Sequence, residues 1–159
     1  MGSHFNVSWF WTKKDYENLE RILTSFEKPM YHICSGVSAI GDIRLDRTCI
    51  NEHSDRRAWL QGSCNVLGDM IHLPFKDGIA GSVVCDPPYD YNFTDNRLIN
   101  ELIRISKPRA KILFISPWIP KSPIIQLKEH ELWLVGKKKP YYKIASTFFK
   151  ANGQLGDYV

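Results

Sequence analysis

The sequence predicts one α/β domain of 159 residues that ends in an antiparallel hairpin. Three observations carry that reading. Short apolar runs of strand length recur along the chain, with amphipathic helical stretches between some of them. The most apolar run, Gly81-Ser82-Val83-Val84-Cys85, leads straight into Asp86-Pro87-Pro88-Tyr89, and strand ends are where α/β folds place their chemistry. The last two runs flank Gly136 and the triple lysine Lys137-Lys138-Lys139, as hairpin strands flank a turn.

Residues 12–27 read as an N-terminal amphipathic helix. Thr12 is its N-cap, Asp15 is a capping-box partner, and Tyr16, Leu19, Ile22, Leu23 and Phe26 recur at helical spacing. Lys28-Pro29 ends it. Met30 to Cys34 is the first strand. It runs into Ser35-Gly36-Val37-Ser38, a turn of small residues that leaves backbone N–H groups exposed to a ligand. Asp42 to Asp46 alternates and ends in an acid, as a second strand does, and an acid there can accept both hydroxyls of a ribose. Too few residues lie between Gly36 and Asp42 for an ordinary crossover helix, so the first one is short or missing.

Residues 47–62 read as a loop with a short helix. Ser63 to Leu67 is a third strand, followed by Gly68-Asp69-Met70 and a turn at Asp77-Gly78. Thr94 or Asp95 caps the next helix, with Leu98, Ile99, Leu102, Ile103 and Ile105 as its stripe, and Lys107-Pro108 stops it. Lys111 to Ile115 is a buried strand. The prolines around Trp118 exclude regular structure. Glu131 to Val135 and Tyr142 to Lys150 are the hairpin strands.

Composition removes several classes. Hydrophobic residues make up 43%, which argues against a disordered chain. No apolar run approaches the ~18 residues of a membrane span. The N-terminus lacks a signal-peptide pattern, and Asn6 stands where a myristoylation signal needs Ser or Thr, so a cytoplasmic location is expected. The net charge of +4 permits nucleic acid without demanding it. Cys34, Cys49, Cys64 and Cys85 contain no CxxC pair, so no metal site is expected, and disulfides are not expected in that compartment.

Asp86-Pro87-Pro88-Tyr89 concentrates the chemistry. Prolines lack N–H groups and cannot continue a central strand, so the segment presents acceptors beside a flat aromatic. That set suits a planar substrate with an exocyclic NH2 group. Read alone, the tetrapeptide is also compatible with a mere proline turn.

With these flanks the chain resembles a class I S-adenosylmethionine-dependent methyltransferase of the amino-group type, typified by adenine-N6 DNA enzymes. The resemblance spans residues 30–150 in the right order. It implies a Rossmann-like, mostly parallel sheet with a C-terminal antiparallel hairpin, and S-adenosyl-L-methionine as cofactor. It implies that Cys34, Ser35, Gly36 and Ser38 form the turn beneath the methionine part, that Asp46 holds the ribose, and that Asp69 and Met70 contact the adenine ring. Asp86, Pro87, Pro88 and Tyr89 become the catalytic motif, with Asp86 also next to the cofactor and Tyr89 stacking on the base. Three departures stand out: the family usually has an acid where Cys34 sits and a second glycine where Ser38 sits, and the shortened first crossover is unusual for it.

The expected activity is methylation of adenine N6 in DNA. The alternatives are an RNA base methyltransferase acting on adenine N6 or guanine N2, and an inactive methyltransferase-fold binding subunit. Methylation of a glutamine amide usually goes with Asn in place of the leading Asp. The whole chain reads as one methyltransferase domain with no separate target-recognition domain. Specificity then falls to loops or a second subunit, with Trp118, Lys137, Lys138 and Lys139 as substrate contacts. A homodimer would match a palindromic site.

Overall fold

The computed structural model describes residues 12–36, 38–47, 64–88, 96–122, 125–135 and 141–150. Helix α1 covers Lys13–Leu23, and α2 covers Arg97–Ile105. The strands are β1 (Met30–Ile33), β2 (Ile43–Asp46), β3 (Val66–Leu67), β4 (Ala80–Cys85), β5 (Ser106–Ser116), β6 (Ile125–Val135) and β7 (Tyr141–Lys150). They form one sheet in the order β3-β2-β1-β4-β5-β7-β6. The pairs from β3 to β5 are parallel, and β7 pairs antiparallel with both β5 and β6. The expected mostly parallel sheet with a terminal hairpin is therefore observed. Among the described residues no helix lies between β1 and β2, in line with the short spacing.

Local chemistry explains the first helix. Thr12 Oγ1 accepts from the Asp15 N–H at 3.2 Å, and the Asp15 carboxylate accepts from the Thr12 N–H at 2.7 Å. This reciprocal capping box satisfies two of the helix's first donors. The helix stops at Leu23 rather than near residue 27, because Thr24 is the C-cap. The second helix is capped at Asn96, so the expected cap at Thr94 or Asp95 is replaced, and no side chain caps it.

Strand β5 starts at once after α2, earlier than residue 111. Between the pairs Ala80–Ser106 and Ser82–Lys111, β5 advances five residues while β4 advances two. The extra residues form a bulge that takes Pro108 out of the ladder, and Arg109 turns it with φ 62°. Strand β6 likewise begins at Ile125, because pairing to β7 continues past the apolar stretch that marks it in sequence.

The core lies on both faces of the sheet. Val84, Leu113, Ile115 and Ala145 cluster with Leu19 of α1 and with Trp133. On the other face Val83, Cys85, Ile112 and Phe114 cluster with Leu98, Leu102 and Ile105 of α2. All six residues of β4 are buried, as expected of a central parallel strand covered on both sides. Gly81 is required there: a Cβ would come within 2.4 Å of the Lys28 carbonyl oxygen.

Cys64 is disulfide-bonded, which corrects the expectation that no disulfide forms. Its partner lies outside the described residues. Disulfide pairing depends on proximity in the fold, which cysteine spacing does not disclose. Among the described residues no helix is long and apolar enough to cross a membrane, and no cluster of three His, Cys, Asp or Glu could hold a metal.

Arg104 ties α2 to the segment that follows β3. It donates to the Leu73 and Phe75 carbonyls at 2.9 and 2.7 Å, and to Glu101 and Asp77. Glu101 in turn accepts from the Leu73 N–H at 2.7 Å. Hydrogen bonds to Glu101 and then Asp77 raise the guanidinium pKa further. Replacing Arg104 by Met strands these acceptors. Arg104→Met is expected to cost about 2 kcal/mol, read from denaturant unfolding. An unchanged midpoint would show that the clamp is not needed.

Candidate active site

The site is set by where the strand order reverses. β1 and β4 are neighbours, while the chain proceeds from β1 to β2 on one side and from β4 to β5 on the other. A crevice opens at the carboxyl ends of such a pair. Ile33 pairs with Cys85, so Cys34 and Asp86 follow directly on β1 and β4 at the same level. Ile33 also pairs with Leu45, which brings Asp46 to the same height. Gly68 follows Leu67, the partner of Asp46, and donates to the Asp46 carbonyl at 3.1 Å. Four separate stretches thus meet along one edge of the sheet.

The turn after β1 has an unusual backbone. Cys34 has φ 59°, a left-handed conformation that is uncommon outside glycine and concentrates at functional sites. Gly36 follows with φ 52°, and a Cβ there would meet nothing within 4 Å. The Gly36 N–H donates to Asp46 Oδ2 at 2.8 Å, and the Arg47 N–H to Oδ1 at 2.7 Å. Asp46 therefore orients the turn as well as ending β2. Ser38 is buried, and its Oγ accepts from the Ile40 N–H at 3.1 Å. Burial raises the Tyr16 pKa. Ser38 thus braces the turn through its hydroxyl.

Asp69 Oδ1 accepts from the Ile71 N–H at 3.0 Å and so closes its own turn. Met70 meets the first turn, since the Cys34 thiol donates to its sulfur at 3.4 Å. Pro87 is buried and Pro88 exposed. Trp118, just past β5 at the same edge, packs edge-on against Phe114 with ring centres 6.2 Å apart, and its carbonyl is bound by the Ser116 hydroxyl. Tyr89, Lys137, Lys138 and Lys139 lie outside the described residues.

Asp86 has a neighbour that its own stretch of sequence does not reveal. Lys143 Nζ lies 3.8 Å from Asp86 Oδ2, with the lysine side chain 1% exposed and the aspartate side chain 11%. The only sequence signal for Lys143 is parity: it shares a strand face with Ala145 and Thr147, which are buried.

No protein-family model matches the sequence, and no curated protein does either. Solved structures match in shape. An S-adenosylmethionine-dependent methyltransferase from Methanosarcina mazei superposes with a TM-score of 0.60 at 11% identity, over 82% of this chain and 97% of its own. A Pyrococcus horikoshii protein gives 0.60 at 13%, over 87% and 92%. TrmN from Thermus thermophilus gives 0.58 at 11%, over 86% of this chain and 48% of TrmN. The fold is that of class I methyltransferases.

Within that methyltransferase fold two observations test the fit of a polar cofactor at the β1 turn. Ser35 Oγ is buried and has no hydrogen-bond partner among the described residues. Such an orphan group is costly unless a ligand or water completes it. The open space over Gly36 adjoins it. The residues present fit the group.

Cys85 does not fit the part of a nucleophile. Cys85 is wholly buried, and burial first, then the hydrogen bond to Cys34, pushes its thiol pKa well up. The thiol stays protonated, whereas nucleophilic cysteines need a stabilised thiolate.

Proposed function

We propose that this chain is an S-adenosylmethionine-dependent N-methyltransferase acting on the exocyclic amine of a nucleic-acid base, adenine N6 in DNA first. One observation carries the reading: the acceptor-rich segment Asp86-Pro87-Pro88 follows β4 level with the small-residue turn after β1, at the reversal of strand order. Ser35, Gly36 and Asp46 would hold the cofactor's methionine and ribose, and Asp69 and Met70 its adenine. Bound there, S-adenosylmethionine supplies an electrophilic methyl group.

The protein's own part is to prepare the amine. The lone pair of adenine N6 is delocalised into the ring, so the amine is a weak nucleophile. Hydrogen bonds from N6–H to the Asp86 carboxylate and the Pro87 carbonyl favour a more pyramidal nitrogen and aim its lone pair. Asp86 also stabilises the positive charge that grows on nitrogen and accepts the proton it sheds. Holding the base in place supplies much of the remaining acceleration. Tyr89 stacks on the base, worth ~1–3 kcal/mol. In a duplex the base is first flipped out.

The deciding experiment supplies methyl-labelled cofactor with DNA and RNA in separate reactions, followed by digestion to nucleosides. Label in N6-methyldeoxyadenosine supports the proposal. Label only in RNA adenosine or guanosine moves the substrate to RNA. Labelling of neither polymer together with weak or no cofactor binding by calorimetry favours a binding subunit.

Asp46→Ala removes the acceptor for the Gly36 N–H and the proposed ribose ligand together. Calorimetry should show cofactor affinity lowered by roughly 10-fold or more. Unchanged affinity would remove Asp46 from the cofactor site.

A further inference from the structure

Lys143 is among the largest fully buried side chains of the protein, and it sits at the active edge of the sheet. Strand β7 runs antiparallel to β5, so its start lies at the carboxyl end of the parallel strands. By the pleat, Lys143 falls two residues before Ala145, and Asp86 two residues after Val84, and both apolar residues belong to the cluster beneath α1. The pair meets on that side of the sheet at 3.8 Å. Removing an ammonium from water is expensive, and a buried ion pair repays the cost poorly as a stabilising device. A buried lysine held against the acid that faces the substrate is therefore better explained by what it does to that acid.

We propose that Lys143 is a positioning residue for methyl transfer, holding the Asp86 carboxylate at the end of β4 in the orientation that receives the substrate amine. This rests on the reading of Asp86 as the amine's acceptor. At 3.8 Å the ammonium acts as a point charge that restrains the carboxylate. Its charge favours the carboxylate orientation that keeps Oδ2 turned toward it. Lys143 touches neither the methyl group nor the amine; it acts through Asp86.

The test compares wild type, Lys143→Met, Lys143→Arg, Asp86→Ala and the Asp86→Ala/Lys143→Met double variant, with folding checked by circular dichroism. Lys143→Met keeps the volume and removes the charge. It should lower kcat by roughly 10–100-fold while KM for the nucleic acid and calorimetric cofactor affinity stay within about 2-fold. Lys143→Arg should recover part of the loss. In the Asp86→Ala background the second substitution should cost nothing further, since its target is gone. That arm decides the matter if the arginine variant does not fold. A folded Lys143→Met enzyme with full kcat overturns the proposal, as does an equal further loss in the Asp86→Ala background. An inactive wild type overturns the underlying N-methylation reading as well, so the two failures are told apart by the wild-type lane.

Discussion

Asp86→Ala is expected to reduce methyl transfer by about 100-fold or more while the protein stays folded and binds S-adenosylmethionine with little change. The side chain follows a wholly buried strand and is the group proposed to receive the substrate amine. Its removal takes away the acceptor for the amine and the negative charge opposite the developing cation. Mutagenesis of single preorganised groups of this kind elsewhere costs ~10²–10³ in turnover. The loss should fall on kcat more than on KM, because the interaction strengthens as charge develops. Single-turnover transfer with labelled cofactor measures it. Near wild-type activity would sink the assignment of Asp86, and with it the role given to Lys143. Asp86→Asn is the companion variant: it keeps the carbonyl acceptor and removes the charge, so activity between wild type and Ala would separate orientation from electrostatics.

Acid should weaken the fold through the buried His32, in addition to the carboxylates Asp42, Glu101 and Glu131, whose folded pKa values are lowered. His32 of β1 is fully buried, and its Nδ1 lies 3.1 Å from the Ile40 carbonyl oxygen, which only accepts, so Nδ1 carries the proton. Burial lowers its pKa from 6.5 to about 4, and the charge of Arg44 adds to the effect. In the unfolded chain the imidazole titrates near its ordinary value of ~6.5. Above that pH both states are neutral and stability is at its full value. Below it the unfolded chain gains a proton that the folded one refuses, so stability falls until the folded pKa is passed. Across this window of roughly pH 6.5 to 4 the loss amounts to about 3 kcal/mol. Denaturant unfolding at stepped pH, compared with His32→Gln, reads it. The carboxylates Glu101 and Glu131, whose pKa values are lowered by hydrogen bonds to Arg104 and Arg21, act in both proteins and cancel in the comparison. Parallel slopes for the two proteins would show that His32 is not the group responsible. The histidine lies under the loop between β1 and β2, where a Cβ on Gly41 would come within 3.0 Å of its own Cβ. The loop that leads out of the proposed cofactor turn is thus packed on a group that must stay neutral.

Much of the candidate site is legible because its pieces are local. The small-residue turn, the strand-end acids and the proline pair each announce themselves within a few residues, and the structure brings Cys34, Gly36, Asp46 and Asp86 to one edge. What their spacing does not disclose is how they serve one another. Asp46 holds the Gly36 N–H, and Ser38 braces the turn through its hydroxyl. The bulge around Pro108 is hidden for a similar reason. The proline marks a break, but only the register against β4 shows that the strand resumes on both sides of it.

The sequence by itself determines the capping box of Thr12 and Asp15, the buried strand before Asp86 and the terminal hairpin. Each follows from periodicity or hydrogen bonding over short stretches, or between neighbouring strands. The tertiary structure alone decides that β4 lies beside β1, that β7 inserts between β5 and β6, and hence that Lys143 meets Asp86. Those contacts join segments far apart in the chain. They depend on the order and register of strands, which no local propensity encodes.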